Sequence, residues 1–218
     1  MALLLALVVV LLAGLLAAAF RRHPDAKGRA LALRRMALGL TAAYTALVGL
    51  FVAGEILADP GGWEGVGLVA LWLVPLVVLG LLGWFRPDAA RIPLTVATAA
   101  VVAVSIWYAI AGRSWRSFEN SHGPVRAIAS FALCAALGAY GYRRPLRGGI
   151  LLLAASLAPV ILQAAAGGGR GWASLFALTS PGAVTGVLYL ASLAPGRGAP
   201  VPASDRDTAS GRPPPKYN

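Results

Sequence analysis

The sequence predicts an all-α fold, a polytopic transmembrane helix bundle of seven spans, and three observations carry that expectation. Seven apolar stretches, at about residues 1–20, 36–57, 65–85, 93–112, 125–142, 148–166 and 172–194, reach or approach the roughly 20 helical residues that a ~30 Å hydrocarbon core requires. Nearly every charge falls in the gaps between them. The whole chain is 58% apolar and 12% charged, with a mean hydropathy of +0.73, whereas soluble domains carry about 25% charged residues.

The first stretch resembles a secretory signal only in position. It lacks a basic leading region, its apolar run is long, and six cations follow it, so it is expected to remain as a span. The second follows the basic segment holding Arg21, Arg22, Lys27, Arg29, Arg34 and Arg35, and runs out into Gly54-Glu55 and a tight Asp59-Pro60-Gly61-Gly62 turn. The third contains Pro75 and ends in Trp84-Phe85-Arg86-Pro87; the fourth ends in Trp107 and Tyr108, aromatics of the kind that sit at membrane interfaces.

The fifth stretch carries Ser130, Cys134 and Gly138 every four residues, with Gly141 nearby. Such a stripe lets a neighbouring helix come close where lipid offers no hydrophobic drive between helices. Cys134 is the only cysteine, so no intrachain disulfide can form and the residue reads as a small packing group. The sixth and seventh stretches contain Pro159 and Pro181 and are separated by a short glycine-rich linker. Either could be kinked or re-entrant, which leaves six spans as the alternative count. Gly182 and Gly186 form a second close-contact pair. Residues 197–218, rich in Pro, Gly, Ser and charge, read as a disordered cytoplasmic tail outside the 1–196 helical domain.

Charge orients this array. The net charge of +11 comes from 19 basic and 8 acidic residues. Fifteen of the cations lie in alternate gaps on one side and four on the other. Basic loops stay cytoplasmic, so the N-terminus is expected outside and the C-terminus inside. The same distribution argues against nucleic acid as a partner; these charges orient spans and meet anionic headgroups. With 17 Arg against 2 Lys and abundant Ala, the composition resembles high-GC coding and points to a bacterial plasma membrane, the inner membrane.

Chemistry is sparse. Of the two histidines, His23 and His122 fall on opposite sides of the predicted membrane and cannot share a metal or haem. No zinc-protease helix motif and no phosphate-cradling loop is present. No lysine lies inside a span, which removes the retinal attachment that a seven-span layout invites. A serine nucleophile would need a base from the loop holding Ser117, Glu119, Ser121 and His122, a local grouping unlike the distant segments that usually build a triad. The chain is therefore expected to be no enzyme, with no cofactor, no metal and no identifiable soluble substrate.

Polar groups converge at the predicted outer face. One loop region offers Glu55, Asp59, Trp63 and Glu64 without a cation. The other offers Arg113, Trp115, Arg116, Glu119 and His122 after Trp107 and Tyr108, followed by Arg126. The two are electrostatically complementary. This cluster is the expected surface for another membrane or extracellular protein or a ligand, since loops on a rigid scaffold often carry function. Inside the spans the main strongly polar side chain is Gln163, with hydroxyls such as Thr41, Thr45, Thr95, Thr98, Ser105 and Ser156. Ion-coupled carriers usually hold acidic, basic or histidine residues at that depth. The reading is a non-catalytic accessory, scaffold or sensor-like component. The alternative is a small-solute channel or facilitator without ion coupling, with Glu55 at its mouth and Gln163 in its path.

Overall fold

The computed structural model describes residues 2–22, 25–58, 62–111, 125–165 and 171–194, and over these the chain is helical almost throughout, with no strand. Seven helices follow one another: α1 (Ala2–Arg22), α2 (Ala26–Ala58), α3 (Gly62–Phe85), α4 (Pro87–Ala111), α5 (Val125–Arg143), α6 (Pro145–Ala165) and α7 (Gly171–Ala191). Each expected apolar stretch corresponds to one of them. The tail after 196 lies outside the described residues.

The largest departure from expectation is at α2, which begins ten residues before the apolar stretch and absorbs most of the basic segment. Ala, Lys, Leu and Arg are all good helix formers, and Asp25 supplies the missing start signal. The Gly28 backbone N–H donates to Asp25 Oδ2 at 2.7 Å, and the Arg29 N–H donates to the Asp25 carbonyl at 3.1 Å, an N-cap. The cations at 27–35 therefore stand on the first turns of a helix instead of in a loop.

Two corners are set by proline. α3 and α4 are joined through Arg86 alone, α5 and α6 through Arg144 alone, and Pro87 and Pro145 open the next helix in each case. Proline disfavours helical backbone in the residue before it, yet is well placed at a first helical position. At the second corner a Cβ built on Gly148 would collide with the Cα of Gly141. The two helices fold back with their backbones touching.

Contacts between helices give their directions. Gly80 and Gly83 of α3 face Ala136 and Tyr140 of α5, so these run parallel; Cys134 and Gly141 of α5 meet Ser156 and Gly148 of α6 in the opposite order. Arg34, Thr41 and Tyr44 of α2 meet Ser192, Thr185 and Leu178, antiparallel to α7. The odd helices α3, α5 and α7 thus point one way and α2 and α6 the other. α5 is the central element, touching α2, α3, α4, α6 and α7, while α1 lies at the edge against α2 and α7. From Ser130 to Gly141 only Ala135 and Ala139 escape full burial. Small side chains at eight of these twelve positions let neighbours approach closely, while Leu133, Leu137 and Tyr140 fill the remaining face.

The distribution of polarity is inverted relative to a water-soluble bundle. Buried polar residues include Thr98, Ser105, Ser130, Ser156, Gln163, Thr179, Ser180, Thr185 and Ser192, and no Asp, Glu, Lys, Arg or His is among the buried residues described. Val74, Val77, Val78, Leu81, Ile92, Val96, Ile106 and Ile110 face outward. Three helical stretches among the described residues, 26–50, 87–110 and 145–165, are long and apolar enough to cross a membrane, and shorter apolar stretches at 12–21, 74–85 and 178–191 lie beside them.

Candidate functional site

The strongest structural constellation is a ladder of hydroxyls between α2, α5, α6 and α7. On α2, Thr41 Oγ1 bonds the Ala37 carbonyl at 2.9 Å and lies 3.1 Å from Thr185 Oγ1 on α7. One turn along, the Tyr44 hydroxyl donates to the Leu178 carbonyl at 2.8 Å, and its ring meets Phe131 of α5 edge-on at 5.6 Å. Leu178 lies three residues before Pro181, whose missing N–H leaves the adjacent Ala177 carbonyl, four residues before it, without its helical donor. The Tyr44 bond thus ties α2 to α7 beside the turn that the proline loosens.

The ladder continues toward the basic end of the bundle. Tyr189 donates to the Gly138 carbonyl at 2.7 Å. Ser192 donates to the Tyr189 carbonyl at 2.6 Å and accepts from Arg34 Nε at 3.3 Å. Glycines make these approaches feasible: a Cβ at Gly141 would lie 2.5 Å from the Tyr189 ring, and one at Gly138 would strike Thr41. Further along the same stripe of α5, Cys134 Sγ lies 3.4 Å from Ser156 Oγ, and a Cβ at Gly182 would stand 2.5 Å from that same oxygen. The stripe of Ser130, Cys134, Gly138 and Gly141 is therefore the contact surface its spacing suggested, as are Gly182 and Gly186. Ser130 Oγ is fully buried with no hydrogen-bond partner among the described residues.

Between α2, α5 and α7 these groups leave a cleft, bordered by Thr41, Tyr44, Thr45, Cys134 and Pro181, with a volume of about 10 Å³. A single water needs about that much. Its hydroxyls are chiefly bonded to one another or to backbone, and no Asp, Glu, His or Lys borders the cleft among the described residues. The arrangement ties helices together. No group of three or more His, Cys, Asp or Glu that could hold a metal occurs among the described residues.

The residues expected at the outer face are placed only in part. Trp107 and Tyr108 occupy the last turns of α4, Trp107 exposed and Tyr108 half-buried. Glu55 falls in the last turn of α2, and Trp63 and Glu64 in the first turn of α3, so the backbone puts all three at one end of the bundle. Asp59, Arg113, Trp115, Arg116, Glu119 and His122 lie outside the described residues. Gln163 is buried near the end of α6, at 6% exposure, among close-packed groups. Sequence reasoning named Thr41 and Ser156 but missed Tyr44, Thr185, Tyr189 and Ser192. Their spacing was the available signal: Thr185, Tyr189 and Ser192 share a face of α7, and Arg34, Thr41 and Tyr44 share one of α2.

The opposite end is basic. Arg144 Nη2 pairs with Asp88 Oδ1 at 2.6 Å across the α4 and α6 starts, Arg143 lies over the Trp84 ring and Arg29 over Phe20, and Trp84 stacks on Tyr142 at 5.4 Å. Arg21, Lys27, Arg35, Arg86, Arg91 and Arg147 complete this end as the helices place them. No family model, no curated protein and no solved structure matches the chain.

Proposed function

We propose that the chain is an integral, multi-pass protein of a bacterial plasma membrane, with seven spans, the N-terminus outside and the C-terminus inside. Its role is binding, as an accessory, scaffold or sensor-like component that meets a partner protein or ligand through its outer loops. The observation that carries this reading is that no charged side chain is buried among the described residues. Buried polar groups tie helices to one another, an arrangement suited to a rigid support, and the charged groups that acid–base or ion-coupled chemistry uses are not among the buried residues described.

The cleft described between α2, α5 and α7 gives the facilitator reading no path of its own, since its volume of about 10 Å³ holds about one water and neither Glu55 nor Gln163 is among the described residues that border it. Acidic and aromatic groups at the α2–α3 turn and cationic ones after α4 support the binding surface, by their placement in sequence next to the same end of the bundle. Co-purification tests it. A partner captured with the full chain from mild detergent is lost when Trp115 and Arg116 are both changed to Ala, whereas truncation at 196 leaves it. If capture survives the double substitution, the outer loop is not the binding surface. Flux in proteoliposomes that changes with Glu55→Gln supports the facilitator instead.

A further inference from the structure

At the basic end, α4 and α6 start side by side, held by the Arg144 and Asp88 pair at 2.6 Å. About one turn along, each carries another exposed arginine, Arg91 on α4 and Arg147 on α6. Neither makes an ion pair among the described residues, and Asp88, the neighbouring carboxylate, is already engaged. Packed helix axes stand roughly 8–10 Å apart, a gap that two arginine side chains can close around one phosphate, a group the guanidinium fork suits. Directly beyond the arginines the surface becomes apolar: Ile92 is 73% exposed, Val96 62% and Ile150 52%. The Thr95 hydroxyl in that wall is bonded to the Arg91 carbonyl at 2.7 Å, so it makes no demand on a neighbour.

Two guanidiniums above an outward apolar wall match the two halves of a phospholipid. We propose that Arg91 and Arg147 hold the headgroup phosphate of an anionic phospholipid at the α4–α6 seam, its acyl chains lying along Ile92, Val96 and Ile150. The anionic class follows from the surrounding Arg86, Arg143 and Arg144, against which a zwitterionic headgroup brings its own opposing cation. This rests on the membrane reading above and adds a defined lipid position to it.

The test uses the full chain in neutral detergent, offered phosphatidylglycerol or phosphatidylcholine, with retained lipid counted by native mass spectrometry. Arg91→Gln with Arg147→Gln is expected to weaken phosphatidylglycerol retention about tenfold, a step of roughly 1.4 kcal/mol. Arg21→Gln with Arg35→Gln removes the same charge from the same end and is expected to change it less than about twofold on the same scale. Equal losses in the two variants mean diffuse surface charge and overturn the site; unchanged retention in the first places the lipid elsewhere. Inorganic phosphate that displaces the lipid at millimolar concentration identifies a free-anion site instead. Because the double variant must fold, a second reading uses the unaltered chain: phosphatidylglycerol, but not phosphatidylcholine, raises its thermal midpoint. No rise overturns the proposal. Alkaline extraction separates the two levels, since a chain released from membranes refutes the membrane reading, while one retained without lipid preference refutes only this inference.

Discussion

Glycine has two opposite meanings in this chain, and the surroundings of each residue decide which applies. A Cβ at Gly148 meets the Cα of Gly141 and lies 2.8 Å from its amide nitrogen. Both are backbone atoms that cannot swing away, so Gly148→Ala must push α5 and α6 apart. Overpacking of this kind costs about 1–3 kcal/mol. At Gly39 nothing lies within 4 Å of a built Cβ, and Gly39→Ala gains helix propensity of about 0.5–1 kcal/mol. Unfolding of the two variants in detergent is expected to shift in opposite directions. A loss at Gly39 comparable to that at Gly148 would mean that the exposed face of α2 is occupied by something beyond this chain. The four-residue spacing of Ser130, Cys134 and Gly138 made the contact stripe legible, because the helical period converts spacing into a shared face. Spacing does not say which neighbour fills that face; Thr41 and Tyr189 are remote in sequence, and only the folded bundle brings them to Gly138 and Gly141.

Among elements, α2 and α7 are the pair whose polar contacts are most informative. Arg34, Thr41 and Tyr44 run up one helix and Ser192, Thr185 and Leu178 run down the other. Hydrogen bonds between membrane helices contribute about 0.6 kcal/mol on average and up to roughly 1.7. Tyr44→Phe keeps the ring against Phe131 but removes the hydrogen bond from α2 to the Leu178 carbonyl of α7, and a loss of about 1 kcal/mol in unfolding free energy is expected. Thr41→Val and Thr185→Val should each cost less, and a double-mutant cycle should return a coupling near 0.6 kcal/mol. Zero coupling would mean that the 3.1 Å approach is packing without a hydrogen bond. The existence of both helices was legible from apolar length alone. The start of α2 was not, because hydropathy ends at a basic run whereas helix propensity and the Asp25 cap carry the backbone through it. The central place of α5 had a signal in its composition, small residues at eight of the twelve positions from Ser130 to Gly141, which spacing along one stripe under-reads.

The molecule as a whole is defined by which turns share an end. The α1–α2 turn, the Arg86 and Arg144 corners and the end of α7 are brought together by the Arg34 contact to Ser192, the Arg144 contact to Asp88 and the stacking of Trp84 on Tyr142. These are the gaps, together with the tail, that hold fifteen of the nineteen cations. Alternation of charge along the sequence and alternation of direction in the bundle are thus two readings of one arrangement, and a bilayer with an asymmetric preference for basic loops converts it into an orientation. Single cysteines in a Cys134→Ala background measure both parts separately. With a membrane-impermeant maleimide applied to intact cells, Ser121→Cys is expected to label, while Ala26→Cys and Ala89→Cys label only after permeabilisation. Labelling of both Ala26→Cys and Ala89→Cys in intact cells, with Ser121→Cys protected, would reverse the orientation and leave the bundle intact. Labelling of Ala26→Cys and Ala89→Cys from opposite sides would break the bundle itself, because α2 and α4 could not then begin at one end, and the Arg91 and Arg147 site would lose its place beside the other basic turns.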